Sequence, residues 1–563
     1  MTSSLTPALV LVLGAFLVPL LHDRIRGIYM LALPVVGFWQ MLGLEYGSYG
    51  QIELFGQTLV TLRVDKLSLI FGYIFLLAAL LSVIYSLHVK DTVQQVAGIA
   101  YAGAAVGAVF AGDLITLFVF WELTAVTSVF LIWARREERS YRAGLRYLVI
   151  QVGSGVILLA GLVVHQFETG TLQFDHIGIA TLGGKLIFLA FGIKCAFPLL
   201  HNWLQDAYPE ATVTGTVFLS AFTTKLAVYA LARGYAGTEM LIWIGATMTA
   251  FPIFYAVIEN DLRRVLAYSL NNQLGFMVVG IGIGTELALN GTAAHAFCHI
   301  LYKALLFMSM GAVLLRTGTI NGSQLGGLYK SMPWTTGFCI VGAASISAFP
   351  LFSGFVSKSL ILTAAAENGH WITWGVLLFA SAGVFHHSGI KIPFFAFFAH
   401  DSGIRVKEAP WNMLVAMAIT AFLCIAIGVY PAPLYALLPF PVAFEPYTAS
   451  HVITQLQLLM FSALAFAVLM RTGLYPPELR SLNLDSDWIY RRAMPAIIRA
   501  TVAWITVTRR NAIVLSSRVL DRFLVVVFHY HGPQGVLART WPTGSAAIWV
   551  LALLAGFLVI YYV

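Results

Sequence analysis

The sequence predicts an all-α polytopic membrane protein. Three observations carry that reading: composition, the spacing of apolar stretches, and the placing of basic residues. Of 563 residues, 59% are hydrophobic and only 10% are charged, whereas a soluble domain carries about 25% charged residues. Apolar stretches of about 20 residues, enough to cross a bilayer as a helix, recur along the whole chain. Basic residues gather in the short links between them. The net charge of +8 therefore reads as a positive-inside pattern, not as a nucleic-acid surface.

About sixteen spans are expected, at 5–21, 27–44, 66–86, 96–113, 114–133, 145–165, 184–204, 213–233, 238–257, 264–284, 291–315, 334–362, 371–391, 410–430, 454–470 and 544–563. The first, Leu5–Leu21, has no basic region before it and no small-residue cleavage site after it. It is read as a retained helix, not a signal peptide. Placing Arg135, Arg136, Arg139 and Arg142 in the cytoplasm, alternation puts Arg263 and Arg264, Arg316 and Lys330, and Arg405 and Lys407 there too. The N-terminus then lies outside a bacterial-type inner (cell) membrane.

The stretch 472–543 is too polar to span, yet it holds the apolar runs Ala496–Val507 and Ile513–Val527. Arg492, Arg499 and Arg510 share one helical face at about 100° per residue. An amphipathic helix along the cytoplasmic face, bracketed by Pro495 and Pro533, is expected, roughly 50–60 Å long. A set of short helices is the alternative. The span 544–563 then anchors the end of the chain. Cys195, Cys298, Cys339 and Cys424 all fall in apolar segments without metal or redox spacing and read as small core residues. No Gly-rich nucleotide loop or haem motif appears, and no cofactor is expected.

Against this apolar background Glu122, Lys194, Lys225, Lys303 and Lys358 each interrupt a spanning segment. A charge at a helix centre costs roughly 2.5–3.5 kcal/mol on insertion scales, so a chain that holds several is expected to move charge. An unpaired carboxylate at Glu122 would take up a proton, and a lysine on a neighbouring helix would hold it ionised. Lys194 is the natural partner, and such a pair can trade one proton; a static ion pair fixing helix register is the alternative. Lys225 sits midway along its segment, where snorkelling to an interface is harder. His295, His299 and Lys303 recur at i, i+4 and i+8, on one helix face, and histidine titrates near neutrality. A zinc site or inert core histidines are the other readings, but a third ligand is missing and Lys303 would repel a cation. Lys358 ends the set. His386, His387 and Lys391 on the next helix are accessory candidates, as is Asp206. Asp206 belongs with Asn202, Tyr208 and Glu210 to a cluster otherwise read as loop and helix-end structure.

One repeat is visible: Ala196-Phe197-Pro198-Leu199 returns as Ala348-Phe349-Pro350-Leu351. Pro198 and Pro350 each break an apolar segment, removing one donor and freeing a carbonyl. Lys194 lies four residues before its proline, Lys358 eight after its own. Paired broken helices in two halves point to a conduction path.

Four motifs carry a family resemblance: Phe120-Trp121-Glu122-Leu123; Lys194 with Pro198 and His201-Asn202-Trp203-Leu204-Gln205-Asp206-Ala207; Asp261-Leu262-Arg263-Arg264-Val265-Leu266-Ala267-Tyr268-Ser269; and His295, His299 and Lys303-Ala304-Leu305-Leu306-Phe307. In this order they resemble the proton-conducting antiporter-like family, over about residues 60–430. That family includes the antiporter-like membrane subunits of complex I, the A and D subunits of Mrp-type sodium/proton antiporters, and membrane-bound hydrogenase subunits. The resemblance implies a fourteen-helix core with two inverted five-helix repeats and broken helices 7 and 12. It matches Glu122 to the glutamate of family helix 5, Lys194 to the lysine of helix 7 and Lys225 to that of helix 8. His295 and His299 match the helix-11 histidine region. Lys358 matches a helix-12 position where some members carry glutamate. The tail resembles the lateral-helix extension of the longest complex I member and is unusual for a standard Mrp D-type protein.

The expected organisation is then N-terminal helices (1–95), first inverted repeat (96–233), second (234–400), C-terminal core helices (401–471), amphipathic segment (472–543) and anchor (544–563). The expected function is proton and cation translocation within a multisubunit membrane complex, most like the D-type member of an Mrp-type Na+(K+)/H+ antiporter. The chain is not an enzyme by itself. The alternatives are an ion-pumping subunit of a complex I-like oxidoreductase or hydrogenase, and a membrane partner energising a zinc-dependent CO2 hydration protein. Partners are other membrane subunits, one of them against the lateral helix, with lipid, H+ and Na+ or K+, and no nucleic acid.

Overall fold

The computed structural model of the protein describes residues 6–54, 56–476, 479 and 483–563. Two compact units divide the chain, one ending at Asn483 and one running Leu484–Val563. The first begins with α1 (Pro7–Leu17) and α2 (Asp23–Leu42). An antiparallel hairpin follows, β1 (Gly47–Leu54) paired with β2 (Gln57–Val64), which the all-α expectation lacked. Its physical basis is period-2 burial: Leu62 and Val64 face the core while Arg63 between them does not.

Then come α3 (Lys66–Ser86), α4 (Thr92–Val109), α5 (Leu114–Trp133) and α6 (Glu138–Thr169). Aspartates start three of them. Asp65 makes a capping box with Ser68, and Asp91 and Asp113 accept from the first-turn N–H groups of α4 and α5. The chain continues through α7 (Leu182–Lys194), α8 (Asn202–Ala207), α9 (Gly215–Ala221), α10 (Thr223–Gly234), α11 (Met240–Ile258), α12 (Leu262–Ile283) and α13 (Glu286–Thr317). After it come α14 (Pro333–Ile346), α15 (Ser353–Glu367), α16 (Trp371–Val384), α17 (Trp411–Val429), the short α18 (Ala432–Ala436) and α19 (Ala449–Thr472). Each of the sixteen apolar segments coincides with a helix or a broken helix pair. Among the described residues eleven helices are long and apolar enough to cross a membrane.

An internal repeat is written in the backbone. Leu114 N–H donates to Leu172 O, and 148 residues later Leu262 N–H donates to Ile320 O. Bridges Asp113–Gln173 and Asp261–Asn321 keep the same offset. Both α6 and α13 have 32 residues and end on a left-handed glycine, Gly170 and Gly318. The two Ala-Phe-Pro-Leu motifs also share one conformation. Ala196 and Leu199 have φ of 62° and 69°, Ala348 and Leu351 of 56° and 74°. Phe197 N–H reaches Gly192 O and Phe349 N–H reaches Ala344 O, both at 3.0 Å. Each proline thus sits between two residues in a region that costs a non-glycine roughly 1–2 kcal/mol.

In the second unit α20 (Met494–His531) is one continuous helix of 38 residues, about 57 Å long at 1.5 Å per residue. Pro495 lies just after the π-helical turn Ile489–Ala493, and Gly532 follows the end of α20. Arg499 and Arg510 lie on it, and Arg492 in the π-helical turn before it. The final helix is α21 (Thr543–Tyr562).

Candidate functional site

Lys194 is the last residue of α7, fully buried at the first break. Its Nζ donates to Trp121 O at 2.8 Å and Thr124 Oγ1 at 2.9 Å, and lies 4.2 Å from the centre of the Trp121 ring. It therefore grips α5 on either side of Glu122. The Glu122 carboxylate presses against Gly155 of α6, and its Oε1 is buried with no hydrogen-bond partner among the described residues. The two groups are neighbours whose hydrogen bonds are not to each other. Thr124 was not singled out in the sequence.

Lys225 is fully buried in the first turn of α10. The segment that holds it is itself broken, at Phe222 (φ −105°, ψ −66°), which the sequence did not announce with a glycine or proline. Tyr101 of α4 braces the break, its OH accepting the Thr223 N–H at 2.9 Å. Lys225 Nζ donates to Ser220 O at 2.6 Å, across the gap.

On α13 the three stripe residues His295, His299 and Lys303 are all fully buried. His295 Nδ1 is 3.0 Å from Ser357 Oγ, beside Lys358, and its Nε2 is 3.4 Å from Tyr302 OH. The His295 and His299 ring centres are 6.2 Å apart. Both ring nitrogens of His299 and the Nζ of Lys303 have no hydrogen-bond partner among the described residues; Thr224 Oγ1 and both amide atoms of Asn271 share that state. An unsatisfied buried polar group costs about 1–3 kcal/mol, so this run of orphans calls for water. Lys358 Nζ donates to Ile346 O at 2.9 Å, the end of α14 at the second break, and lies 5.1 Å from the centre of the Phe276 ring. Among the described residues no three His, Cys, Asp or Glu side chains gather as a metal site.

Polar residues of α12 join this chain. Tyr302 OH donates to Gln273 Oε1 at 3.1 Å, and Gln273 Nε2 to Asn272 Oδ1 at 2.6 Å. The signal was present as Asn271-Asn272-Gln273 inside an apolar segment.

The accessory candidates divide. After α16 the helix widens to a π-helical segment, Phe385–Lys391, where His387 Nδ1 lies 2.8 Å from Ser388 Oγ and Ser388 donates to Ser269 Oγ at 2.7 Å. His386 instead stacks on Tyr475 at 5.5 Å. Lys391 Nζ donates to the carbonyls of Ala256, Val257 and Glu259 at 3.2, 2.6 and 2.6 Å, capping the end of α11. Asp206 is held bidentately by Arg146 at 2.7 and 3.0 Å. Nearby, Glu210 draws in Arg139 (2.6 Å), Arg135 (3.8 Å) and Arg264 (3.9 Å), tying two arginine-bearing links together. Burial pushes its carboxyl up from the ordinary range, against the pull of these arginines.

Residues 111–385 match the family model described as NADH:quinone oxidoreductase/Mrp antiporter, transmembrane. The D-type component of the Na(+)/H(+) antiporter of Alkalihalophilus pseudofirmus is 32% identical over 292 residues, covering 48% of this chain and 59% of that protein. Hydrogenase-4 component B of Escherichia coli is 28% identical over 422 residues, covering 66% and 62%. The chain spans about three fifths of the length of these curated relatives. A chain in the structure of the Mrp complex from a Dietzia species superposes with a TM-score of 0.76 at 24% identity, over 99% of this chain and 63% of that one. At that identity the likeness shows a shared fold.

Proposed function

We propose, for a chain whose residues 111–385 match the NADH:quinone oxidoreductase/Mrp antiporter transmembrane family, the role of a proton- and cation-translocating subunit of a multisubunit membrane complex, most like the D-type member of an Mrp-type Na+(K+)/H+ antiporter. Protons enter from the cytoplasm near Lys225, pass His299, Lys303 and His295, and reach Lys358. Glu122 acts on Lys194 as a switch: when the carboxylate is ionised, Lys194 keeps its proton; when it is neutral, Lys194 gives it up. The observation that carries this reading is the run of fully buried polar atoms on Lys303, His299 and Asn271 that have no partner among the described residues, between Lys225 and Lys358. Static helix glue would be satisfied; a hydrated relay has its partners in water. The complex sits in a bacterial-type inner membrane with the N-terminus outside, and α20 lies against a neighbouring subunit.

The test is antiport in everted vesicles. Lys194→Ala and Glu122→Ala each abolish it while the complex still assembles; wild-type antiport in either variant overturns the relay. A second reading, an ion-pumping subunit of a redox complex, draws on the α20–α21 tail and on the similarity to Hydrogenase-4 component B. Purification of the intact complex separates the two, since flavin or iron–sulfur subunits belong only to the second.

A further inference from the structure

At the end of the fold that carries the β-hairpin there is a cavity of about 220 Å³, well above what a single water needs. Its rim is charged and comes from four separate elements. Arg63 of β2 pairs with Asp175 at 2.5 Å and Asp65 at 3.3 Å, and Arg233 at the end of α10 pairs with Asp65 at 2.8 Å. Arg63, Asp175, His176 and Arg233 line the cavity, and Asp65 ties the two arginines together. Phe440 closes another side, its loop pinned by reciprocal bonds between Asn290 and the Phe440 backbone, both 3.0 Å.

The floor is Thr292 and Ala293 of α13. Thr292 lies three residues before His295, on the same helix face and about 4.5 Å along the axis. The stripe Lys303, His299, His295 runs along α13 toward the end where Thr292 and Ala293 line this cavity. His295 is also the group bonded to Ser357, next to Lys358.

We infer that this cavity is the mouth of the relay on the hairpin side: a wet vestibule where the proton shared by the relay's last two members, His295 and Lys358, passes to water, framed by the Arg63–Asp175 and Arg233–Asp65 pairs. The inference rests on the relay proposed above. It adds the exit and the residues that build it. No bond other than O–H and N–H forms or breaks; the proton leaves a ring nitrogen for a water oxygen.

All four native cysteines are buried and none lines the cavity, so labelling of this chain is read against the unsubstituted chain as background. Ala293→Cys and Thr292→Cys are made in the full complex. Right-side-out vesicles are treated with a membrane-impermeant cationic methanethiosulfonate, and labelling is read by mass. Both positions are expected to label from the hairpin side, with loss of antiport that a reductant restores. Failure of both to label, labelling from the opposite side only, or labelling without loss of antiport overturns the vestibule. The relay is judged separately: if Lys194→Ala still transports, that reading fails; if Lys194→Ala is dead and labelled Ala293→Cys conducts, only the vestibule fails.

Discussion

Gly155 is a slot, and filling it tests whether the position of the Glu122 carboxylate matters. A Cβ at 155 would lie 1.4 Å from Glu122 Oε1 and 2.4 Å from its Cδ, where real contacts stay beyond 3.0 Å. The backbone of α6 has little freedom to retreat. The neighbouring Ser154 hydroxyl accepts from Trp121 Nε1 at 3.2 Å and donates to Ala190 O at 2.8 Å, pinning α6 to α5 and α7 together. The carboxylate must therefore withdraw by about 1.6 Å. Misplacing a reacting group by 1 Å can cost about 100-fold, so Gly155→Ala is expected to lower antiport about that much while the complex assembles normally. Glu122→Asp shortens the side chain by one bond, about 1.5 Å. The double variant Gly155→Ala/Glu122→Asp should accordingly transport faster than Gly155→Ala alone. The assay is the initial rate of cation-driven collapse of a pH gradient in everted vesicles, normalised to assembled complex. Wild-type rate in Gly155→Ala, or no gain in the double variant, would mean that the position of the Glu122 carboxylate does not limit transport.

Lys303→Met removes a buried amine that has no partner among the described residues, so thermal stability in detergent should hold or rise while transport is lost; replacing buried charge by a matched apolar group is often neutral or stabilising, by about 1–4 kcal/mol. Lys391→Met should do the reverse to stability. It strips the shared donor from three carbonyls, at about 1–3 kcal/mol for each group left unsatisfied, read as a lower melting temperature. In the link after α16, hydrogen bonds from Arg405, then Lys330, then the Gly403 N–H hold the Asp401 carboxyl well below the usual carboxylate range. A depressed carboxylate contributes stability above its unfolded pKa of about 3.9 and loses it as pH falls further. Asp401→Asn should flatten the acid limb of the stability profile below about pH 4, measured by thermal unfolding against pH.

The buried charges were legible because they break the hydropathy of the segments around them. Glu122, Lys194, Lys225, Lys303 and Lys358 needed no coordinates to be found, nor did the i, i+4, i+8 spacing of the stripe. The repeated Ala-Phe-Pro-Leu was legible as letters but not as shape: alanine and leucine are poor candidates for positive φ, so nothing in the motif announces it. The break at Phe222 was hidden for the same reason, since a tyrosine from α4 makes it and no local residue marks it. The hairpin fell between the window lengths that find spanning helices.

Sequence alone determined that charge lies inside apolar segments, and which ones, because the cost of burying it makes each exception informative. Tertiary structure decided which partners each exception meets. Lys391 and Lys303 are the same side chain in similar apolar surroundings. One is saturated by the carbonyls at the end of α11, and the other has no partner among the described residues. Satisfaction depends on atoms remote in the chain, here 132 to 135 residues before Lys391. Only packing brings Gly155 under Glu122, and only packing sets Arg63, Asp175 and Arg233 around the same cavity as Thr292, about one helical turn from His295.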